Sequence, residues 1–307
     1  MKLGKVLLIA NPVAKNGKGV FAASYAEREL EKKLDKENVD LRLTEGSKHG
    51  FRLAAAAGAY DTVLAVGGDG LVHEVVNGLM TIPEVDRPTF GLLPAGSGND
   101  YARTLGMSFD IKESLNELFM ATPRYYDLGR CDEEFFVQSL SFGLDAAIAL
   151  DTLERRKQTG KTGTPLFLES GIDVLLHRMK QYSYRISLDD WPPVEDHMLL
   201  FAIQIGETYG GGFRICPQAL PDDGWFDICV ARPPLGVPKA LMIFLLAKNA
   251  HHTEFKQLEF TKAHSIEICF GDEEPPTQAD GEELHGSKHT ITCLRRAIEV
   301  LVAPSAE

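Results

Sequence analysis

Three carboxylates stand beside glycine-rich turns in this 307-residue chain. They are Asp69 in Val66-Gly67-Gly68-Asp69-Gly70, Asp100 in Pro94-Ala95-Gly96-Ser97-Gly98-Asn99-Asp100, and Glu282 in Gln278-Ala279-Asp280-Gly281-Glu282. Glycine lets a backbone turn tightly and approach a ligand closely. A helix that follows such a turn presents unpaired N–H groups to an anion. An acid at the same place has a use when a phosphate carries Mg²⁺, so Asp69 and Asp100 together point to a Mg²⁺–nucleotide site. Each string also has a plain reading. G-G-D-G is a strand–helix turn, Ser97 or Asn99 is a helix cap, and Asp280-Gly281 is a turn followed by a solvated Glu282. One cap leaves a second glycine-flanked turn with a second acid unexplained. A third polar turn, Asn11-Pro12-Val13-Ala14-Lys15-Asn16-Gly17-Lys18-Gly19, adds two lysines as point-charge partners for phosphate. It lacks the G-x-x-x-x-G-K-[ST] spacing of a Walker A loop.

The elements that must position these turns alternate through the first 126 residues. Strands are predicted at 6–10, 39–43, 62–66 and 90–93, and helices at 21–36, 50–57, 72–80 and from 100 to 105. Repeated strand–helix units imply right-handed crossovers and a mainly parallel sheet. Ligands of such sheets sit beyond the carboxyl ends of the strands, where the three turns fall. After residue 126 the pattern becomes strands at 135–141, 184–188, 199–205, 226–230, 265–270 and 291–294, with helices at 166–179 and 237–247. That is a second, mostly antiparallel domain. The expected fold class is therefore α/β plus mainly β. A three-layer parallel-sheet domain spans 1–126 and an antiparallel β-sandwich spans 127–295.

Composition bounds the function. The chain is 44% hydrophobic and 25% charged, which is ordinary for a globular protein, and its net charge is −12. An acidic chain argues against nucleic acid as the main partner and gives no global attraction to anionic lipid. The five cysteines, Cys131, Cys216, Cys229, Cys269 and Cys293, form no CxxC pair and read as buried thiols in a reducing compartment. A zinc site would need tighter clustering of Cys and His along the chain. The apolar run 6–10 is shorter than a signal-peptide core. The longest apolar stretch, 240–247, falls short of the roughly 20 residues that cross a bilayer. The basic groups Arg155-Arg156-Lys157, Lys161, Arg178 and Lys180 read either as a solvated helix face or as a lipid-facing rim. The apolar 237–247 could touch lipid but reads first as a buried core helix.

The four turns, taken in order with Phe142-Gly143-Leu144-Asp145 and with Gly211-Gly212 through Pro217, Ala219 and Asp223-Gly224, resemble the diacylglycerol-kinase catalytic family in its soluble bacterial lipid-kinase branch. The resemblance runs from residue 5 to about 302. It implies a nucleotide-binding α/β domain and a β-sandwich domain with the active site in the cleft between them, and a C-terminal segment, about 296–307, that returns to the first. It implies ATP contacts from Asn11, Pro12, Val13, Ala14, Lys15, Thr44, Gly67, Gly68, Asp69, Gly70, Leu71, Val72, His73, Ser97 and Asn99. It makes Glu282 the general base, and Asp69 and Asp100 acids needed for activity. It places a structural Mg²⁺ on Leu220, Asp223 and Trp225, linked to Asp127 and to a lysine for which Lys161 is the candidate. The implied cofactors are ATP and Mg²⁺. The implied partner is a membrane lipid with a free hydroxyl, met by peripheral contact at the inner face of the membrane by a cytoplasmic protein. Dimers occur in the family.

Three positions depart from the family pattern. Leu71 replaces the threonine of G-G-D-G-T, His73 stands where Asn is usual, and Lys15 where Gly is usual. They leave two further readings open: an NAD kinase-like enzyme, which shares G-G-D-G, and a nucleotide-binding regulator of the same fold that lost turnover.

Overall fold

The computed structural model describes residues 3–271 and 273–304; the side chains of Lys15, Asn16 and Lys18 lie outside the described residues. The chain forms two compact units, residues 1–126 with 296–307, and residues 127–295.

Unit 1 is built on β1 (Val6–Ala10), α1 (Ala14–Glu31), β2 (Val39–Leu43), α2 (His49–Ala55), β3 (Thr62–Gly67), α3 (Asp69–Leu79), β4 (Thr89–Pro94), α4 (Asp100–Thr104), α5 (Ile111–Met120) and the first part of β5 (Thr122–Cys131). The strands lie parallel in the order β2-β1-β3-β4. Both central strands, β1 and β3, are buried along their whole length. They read as unbroken apolar runs because helices cover such a sheet on both faces. The order reverses at β1, so the switch point lies between the carboxyl ends of β1 and β3.

Unit 2 comprises β6 (Glu134–Phe136), β7 (Ser139–Gly143), α6 (Leu144–Thr159), α7 (Thr164–His177), β8 (Tyr182–Leu188), β9 (Val194–Met198), β10 (Leu200–Gln204), β11 (Phe226–Ala231), α8 (Val237–Ala247), β12 (Leu258–Ala263), β13 (Ser265–Phe270), β14 (Thr277–Ala279), β15 (Glu282–Leu284) and most of β16 (Lys288–Val302). One antiparallel sheet runs β12-β11-β10-β7-β14-β15, and β16, β13, β8 and β9 follow one another in the other. Strand alternation fills two cores. Phe201, Ile203, Phe226 and Ile228 point into the sandwich with Phe142, Ile266 and Ile268. Their neighbours Ala202 and Cys229 face Leu144, Phe167, Val174 and Ala240 of the helices. β16 ends in unit 1, where Val300 pairs with Phe90 of β4.

Several elements differ from the sequence reading. α1 starts at Ala14 rather than 21, because residues 14–20 are too polar and glycine-rich to show an apolar period. The loop expected at 11–19 is therefore only Asn11-Pro12-Val13. The expected strand 135–141 is two strands, parted where the amides of Val137 and Gln138 bond a side chain from elsewhere. The expected strand 291–294 is the middle of a fifteen-residue strand that continues past Arg296, a residue at φ +52. α5 and α6 were not foreseen. α8 is not a buried core helix: Met242 and Leu245 are exposed, and only Ala240, Ile243 and Ala247 are buried.

Candidate active site

The carboxyl ends of four adjacent strands carry the predicted nucleotide residues of unit 1. Thr44 follows β2 and its amide donates to Ala10 O at 2.8 Å. Asn11 follows β1, donates its amide to Val66 O, and accepts the Val13 N–H on its side chain at 3.1 Å. β3 runs into Gly67, and Gly68 alone separates it from α3. No side chain caps α3, so its first N–H groups face the strand ends with the helix dipole behind them.

The two glycine motifs meet backbone on backbone. A Cβ on Gly96 would lie 2.3 Å from the Gly68 Cα, and a Cβ on Gly68 would lie 2.8 Å from the Gly96 Cα. Any side chain at either position would force the loops apart. Asn99, at φ +55, holds the second loop by pairing with both the N–H and the C=O of Gly96, at 2.9 and 3.1 Å. It is therefore a loop brace, and α4 has no side-chain cap. Asp69 accepts the amide N–H of Tyr101, next to Asp100, at 3.1 Å. Asp100 is buried and ion-paired with Arg103 at 3.0 Å, which also bonds Gly98 O at 2.7 Å. The fold thus brings Asn11, Thr44, Gly67, Gly68, Asp69, Gly70, Ser97, Asn99 and Asp100 to one edge of the sheet.

Other predicted residues serve differently. Leu71, Val72 and His73 are buried, so their side chains pack inward. Leu71 fills the space above Gly67 and Gly50, 2.7 and 2.9 Å from where Cβ atoms would stand. His73 meets Asn77 of the same helix. Leu71 and His73, two of the three departures from the family pattern, are thus packing residues and remove no acid from the site. Pro12, Val13 and Ala14 flank the Asn11 turn, with Val13 exposed, and the side chain of Lys15 lies outside the described residues.

In unit 2, Glu282 opens β15 directly after a two-residue hairpin turn. Asp280 at φ +49 and Gly281 at φ +92 give both positions the positive φ of a type I′ turn. The Asp280 carboxylate accepts the amides of Val137, Gln138 and Ser139 at 2.7, 2.9 and 3.0 Å. Behind the turn, the Gln278 side-chain carbonyl takes the Gly281 N–H at 2.6 Å, and its side-chain amide donates to the Ser141 hydroxyl at 2.8 Å. Tyr209 donates its hydroxyl to Asp145, the acid of the F-G-x-D string, and the Ser141 hydroxyl lies near enough to lower the Asp145 carboxyl. D-G-E and F-G-x-D thus form one buried network that fixes the turn below Glu282.

Asp145 is fully buried, and desolvation raises its carboxyl above the ordinary 3.8 although the Tyr209 and Ser141 hydroxyls pull it down. The folded chain therefore keeps a proton that the unfolded chain releases. That contribution to stability is complete below about pH 4 and is lost as pH rises through the folded value. Asp145→Asn should flatten this slope in urea unfolding between about pH 4 and 7. Asp145→Ala leaves the Tyr209 hydroxyl unpaired and should cost about 1–3 kcal/mol near pH 4, a difference that shrinks as pH rises through the folded value. Equal slopes in wild type and Asp145→Asn would contradict the assignment.

Glu282 lines an open cleft of about 700 Å³ within unit 2, together with Gly143, Leu144, Ala147, Lys157 and Tyr182. Lys157, Arg178 and Lys180 are the basic side chains that line it. Arg155 is ion-paired with Asp151 at 2.5 Å and Asp173 at 2.6 Å, Arg178 with Asp151, and Lys180 with Glu273.

The predicted metal turn lies elsewhere in unit 2. Asp127 accepts the Gly224 N–H at 2.6 Å and donates its own N–H to Pro221 O at 2.8 Å, so it holds the turn. Asp223 accepts the Trp225 N–H at 3.0 Å. The lysine here is Lys262, not Lys161. Lys262 Nζ stands 2.9 Å from Asp223 and 3.0 Å from Asp227, its cross-strand partner, whereas Lys161 pairs with Glu169 at 3.0 Å. Only the β11–β12 register reveals this, so no motif pointed to it. The Asp223 carboxylate already receives the Trp225 N–H and Lys262 Nζ, one on each oxygen. A carboxylate with the backbone carbonyls of Leu220 and Trp225 is by donor type the oxygen-only chemistry that Mg²⁺ takes.

A parallel sheet with a glycine-rich edge in one unit and antiparallel sheets in the other make the fold α/β plus mainly β. Residues 5–131 match the diacylglycerol kinase catalytic domain, and residues 138–302 match the YegS C-terminal NAD kinase beta sandwich-like domain. The chain belongs to this diacylglycerol kinase and YegS-like lipid kinase family. It is 31% identical over 257 residues to a "Probable lipid kinase YegS-like" of Chromohalobacter salexigens, covering 79% of this chain and 76% of that one. It is 26% identical over 265 residues to a diacylglycerol kinase of Staphylococcus saprophyticus, covering 85% and 83%. A crystal structure of a Bacillus anthracis diacylglycerol kinase shares the fold at TM-score 0.78 and 22% identity over the whole of both chains. So does, more distantly, an Archaeoglobus fulgidus NAD kinase in complex with ATP, at TM-score 0.54 and 12% identity over 98% and 93%. Among the described residues, no helix is long and apolar enough to cross a membrane.

Proposed function

We propose that this protein is an ATP- and Mg²⁺-dependent lipid kinase that phosphorylates the hydroxyl of diacylglycerol or a related lipid. The observation that carries this reading is the contact of Gly68 with Gly96, which brings together the glycine loops after β3 and β4, each with an acid, beside the switch point of a parallel sheet. The amides at the start of α3 and at Ser97 and Gly98 hold the phosphates. Asp69 and Asp100 would hold a phosphate-bound Mg²⁺, which would neutralise charge developing on the transferred group. The lipid hydroxyl oxygen attacks the γ-phosphorus, its proton passes to Glu282, and ADP leaves. The cleft beside Glu282 receives the hydroxyl end of the lipid.

The lipid is reached from a membrane surface, at the inner face of a cytoplasmic bilayer. The exposed apolar side chains Ile172 and Leu176 of α7 and Met242 and Leu245 of α8 form the contact; the two helices pack together where Phe244 covers Gly171. Met242→Glu with Leu245→Glu should lower vesicle co-sedimentation at least about 10-fold, since each buried apolar side chain contributes roughly 1.5–3 kcal/mol. Unchanged sedimentation would remove α8 from the membrane surface.

The test of the function is a radiolabelled-ATP assay across diacylglycerol, polyprenol, sphingoid base and phosphatidylglycerol in mixed micelles, with NAD as a soluble acceptor. Label in a lipid supports the reading, and label in NAD alone overturns it.

A further inference from the structure

Cys131, Asp132 and His289 converge although 157 residues separate Asp132 from His289. Cys131 ends β5, Asp132 forms the turn into β6, and His289 is the second residue of β16. The thiol sulfur stands 3.7 Å from His289 Nδ1 and 4.0 Å from Asp132 Oδ2, and Nδ1 stands 2.8 Å from Oδ2. A tetrahedral zinc ion bound by S, N and O has edges of about 3.6 Å from S to N or O and about 3.3 Å from N to O. The three atoms already lie within about half an ångström of that figure. Each donor is also braced from behind, as metal ligands are. His289 Nε2 meets the Gly286 carbonyl at 3.0 Å, so Nε2 carries the proton and Nδ1 is the nitrogen turned to the cluster. Asp132, held at φ +53, donates its N–H to Thr290 O at 2.9 Å and accepts the Thr290 N–H on Oδ1 at 3.0 Å, which leaves Oδ2 toward the cluster. His289 is 1% exposed and packs beside Phe142 at 5.6 Å.

We propose that Cys131, Asp132 and His289 form a binding site for a borderline-soft divalent ion of the zinc type, with water as the fourth ligand. A nitrogen, a sulfur and an oxygen donor together select such an ion over Mg²⁺, which prefers oxygen alone. On binding, the Cys131 S–H bond breaks, the sulfur–metal bond forms, and one proton goes to solvent. Asp132 enters ionised and His289 neutral. The ion ties the β5–β6 turn to the start of β16, three residues after the end of the hairpin that carries Glu282. Its role is to stiffen the exit of that hairpin. The site is independent of the Asp223 turn.

The test uses the full chain after chelator treatment, titrated with Co²⁺ and then Zn²⁺. The wild type should take up one equivalent of Co²⁺ with a thiolate-to-cobalt charge-transfer band and tetrahedral ligand-field bands, all displaced by Zn²⁺. Cys131→Ser should lose the charge-transfer band, and His289→Gln should weaken binding at least about 100-fold. Zn²⁺ should raise the thermal midpoint of the wild type and leave that of Cys131→Ser where it was. Circular dichroism reports folding, and if His289→Gln does not fold, Cys131→Ser and Asp132→Asn carry the test. A wild type without the charge-transfer band, or a band that survives in Cys131→Ser, would overturn the site and leave a histidine–carboxylate hydrogen bond beside a thiol.

Discussion

Glu282→Gln lowers kcat for lipid phosphorylation by about 10²–10⁴-fold, the contribution of a positioned general base, and leaves ATP affinity and the unfolding midpoint at wild-type values. The stability half of this expectation follows from the hairpin. Glu282 is exposed, and the groups that hold the turn are Asp280, Gly281 and Gln278, none of which bonds the Glu282 side chain. The glutamine side chain keeps the volume and the hydrogen-bonding oxygen and loses only the capacity to take a proton. The kinetic half follows from phosphoryl transfer, in which little covalent chemistry falls to the protein and positioning with charge stabilisation dominates. Loss of the base therefore appears in kcat rather than in the KM for ATP. The paired measurement is burst and steady-state turnover on the best lipid acceptor, with nucleotide binding followed separately. Wild-type turnover in the Glu282→Gln variant would remove Glu282 from the chemistry and leave the nucleotide edge of unit 1 intact as a separate finding.

The parts of this molecule that the sequence made legible are those set by local physics. Strands β1 and β3 are short apolar runs bounded by turn residues, and their bounds were read to within a residue. The three glycine motifs announced themselves because glycine beside an acid at a strand end has few other uses. What stayed hidden depends on pairing across long separations. Lys262 becomes the partner of Asp223 only through the register of β12 against β11. The Asp145–Ser141–Gln278 chain exists only because β7 lies between β10 and β14. The helices α5 and α6 were missed for a different reason. α6 buries one narrow face, and its charges pair with acids on α6 and α7, so its apolar period is weak. The basic groups, which read in sequence either as a solvated helix face or as a lipid-facing rim, are paired with acids at Arg155, Lys161, Arg178 and Lys180. The zinc-type site shows the same limit: Cys and His that are distant along the chain carry no spacing signal.

Gly70 separates phosphate binding from packing. A Cβ at Gly70 meets nothing within 4 Å, and its backbone is helical, whereas a Cβ at Gly96 meets the Gly68 backbone at 2.3 Å. Gly70→Ala should therefore leave the unfolding free energy unchanged or raise it by up to about 1 kcal/mol, since alanine is the better helix former. Gly96→Ala should lower it by about 1–3 kcal/mol through overpacking between two loops that cannot retreat into solvent. ATP affinity should fall in both variants, about 10-fold or more, because each disturbs the amides that receive the phosphates. The first variant is the informative one. Its methyl group occupies only the space in front of the α3 N-terminus, so a loss of affinity without loss of stability places the phosphates there. Calorimetric ATP titration of Gly70→Ala, beside its thermal melt, gives both readings. Wild-type affinity in that variant would move the phosphates off α3 and require the Gly96–Gly98 loop and the Asn11 turn to hold them without it.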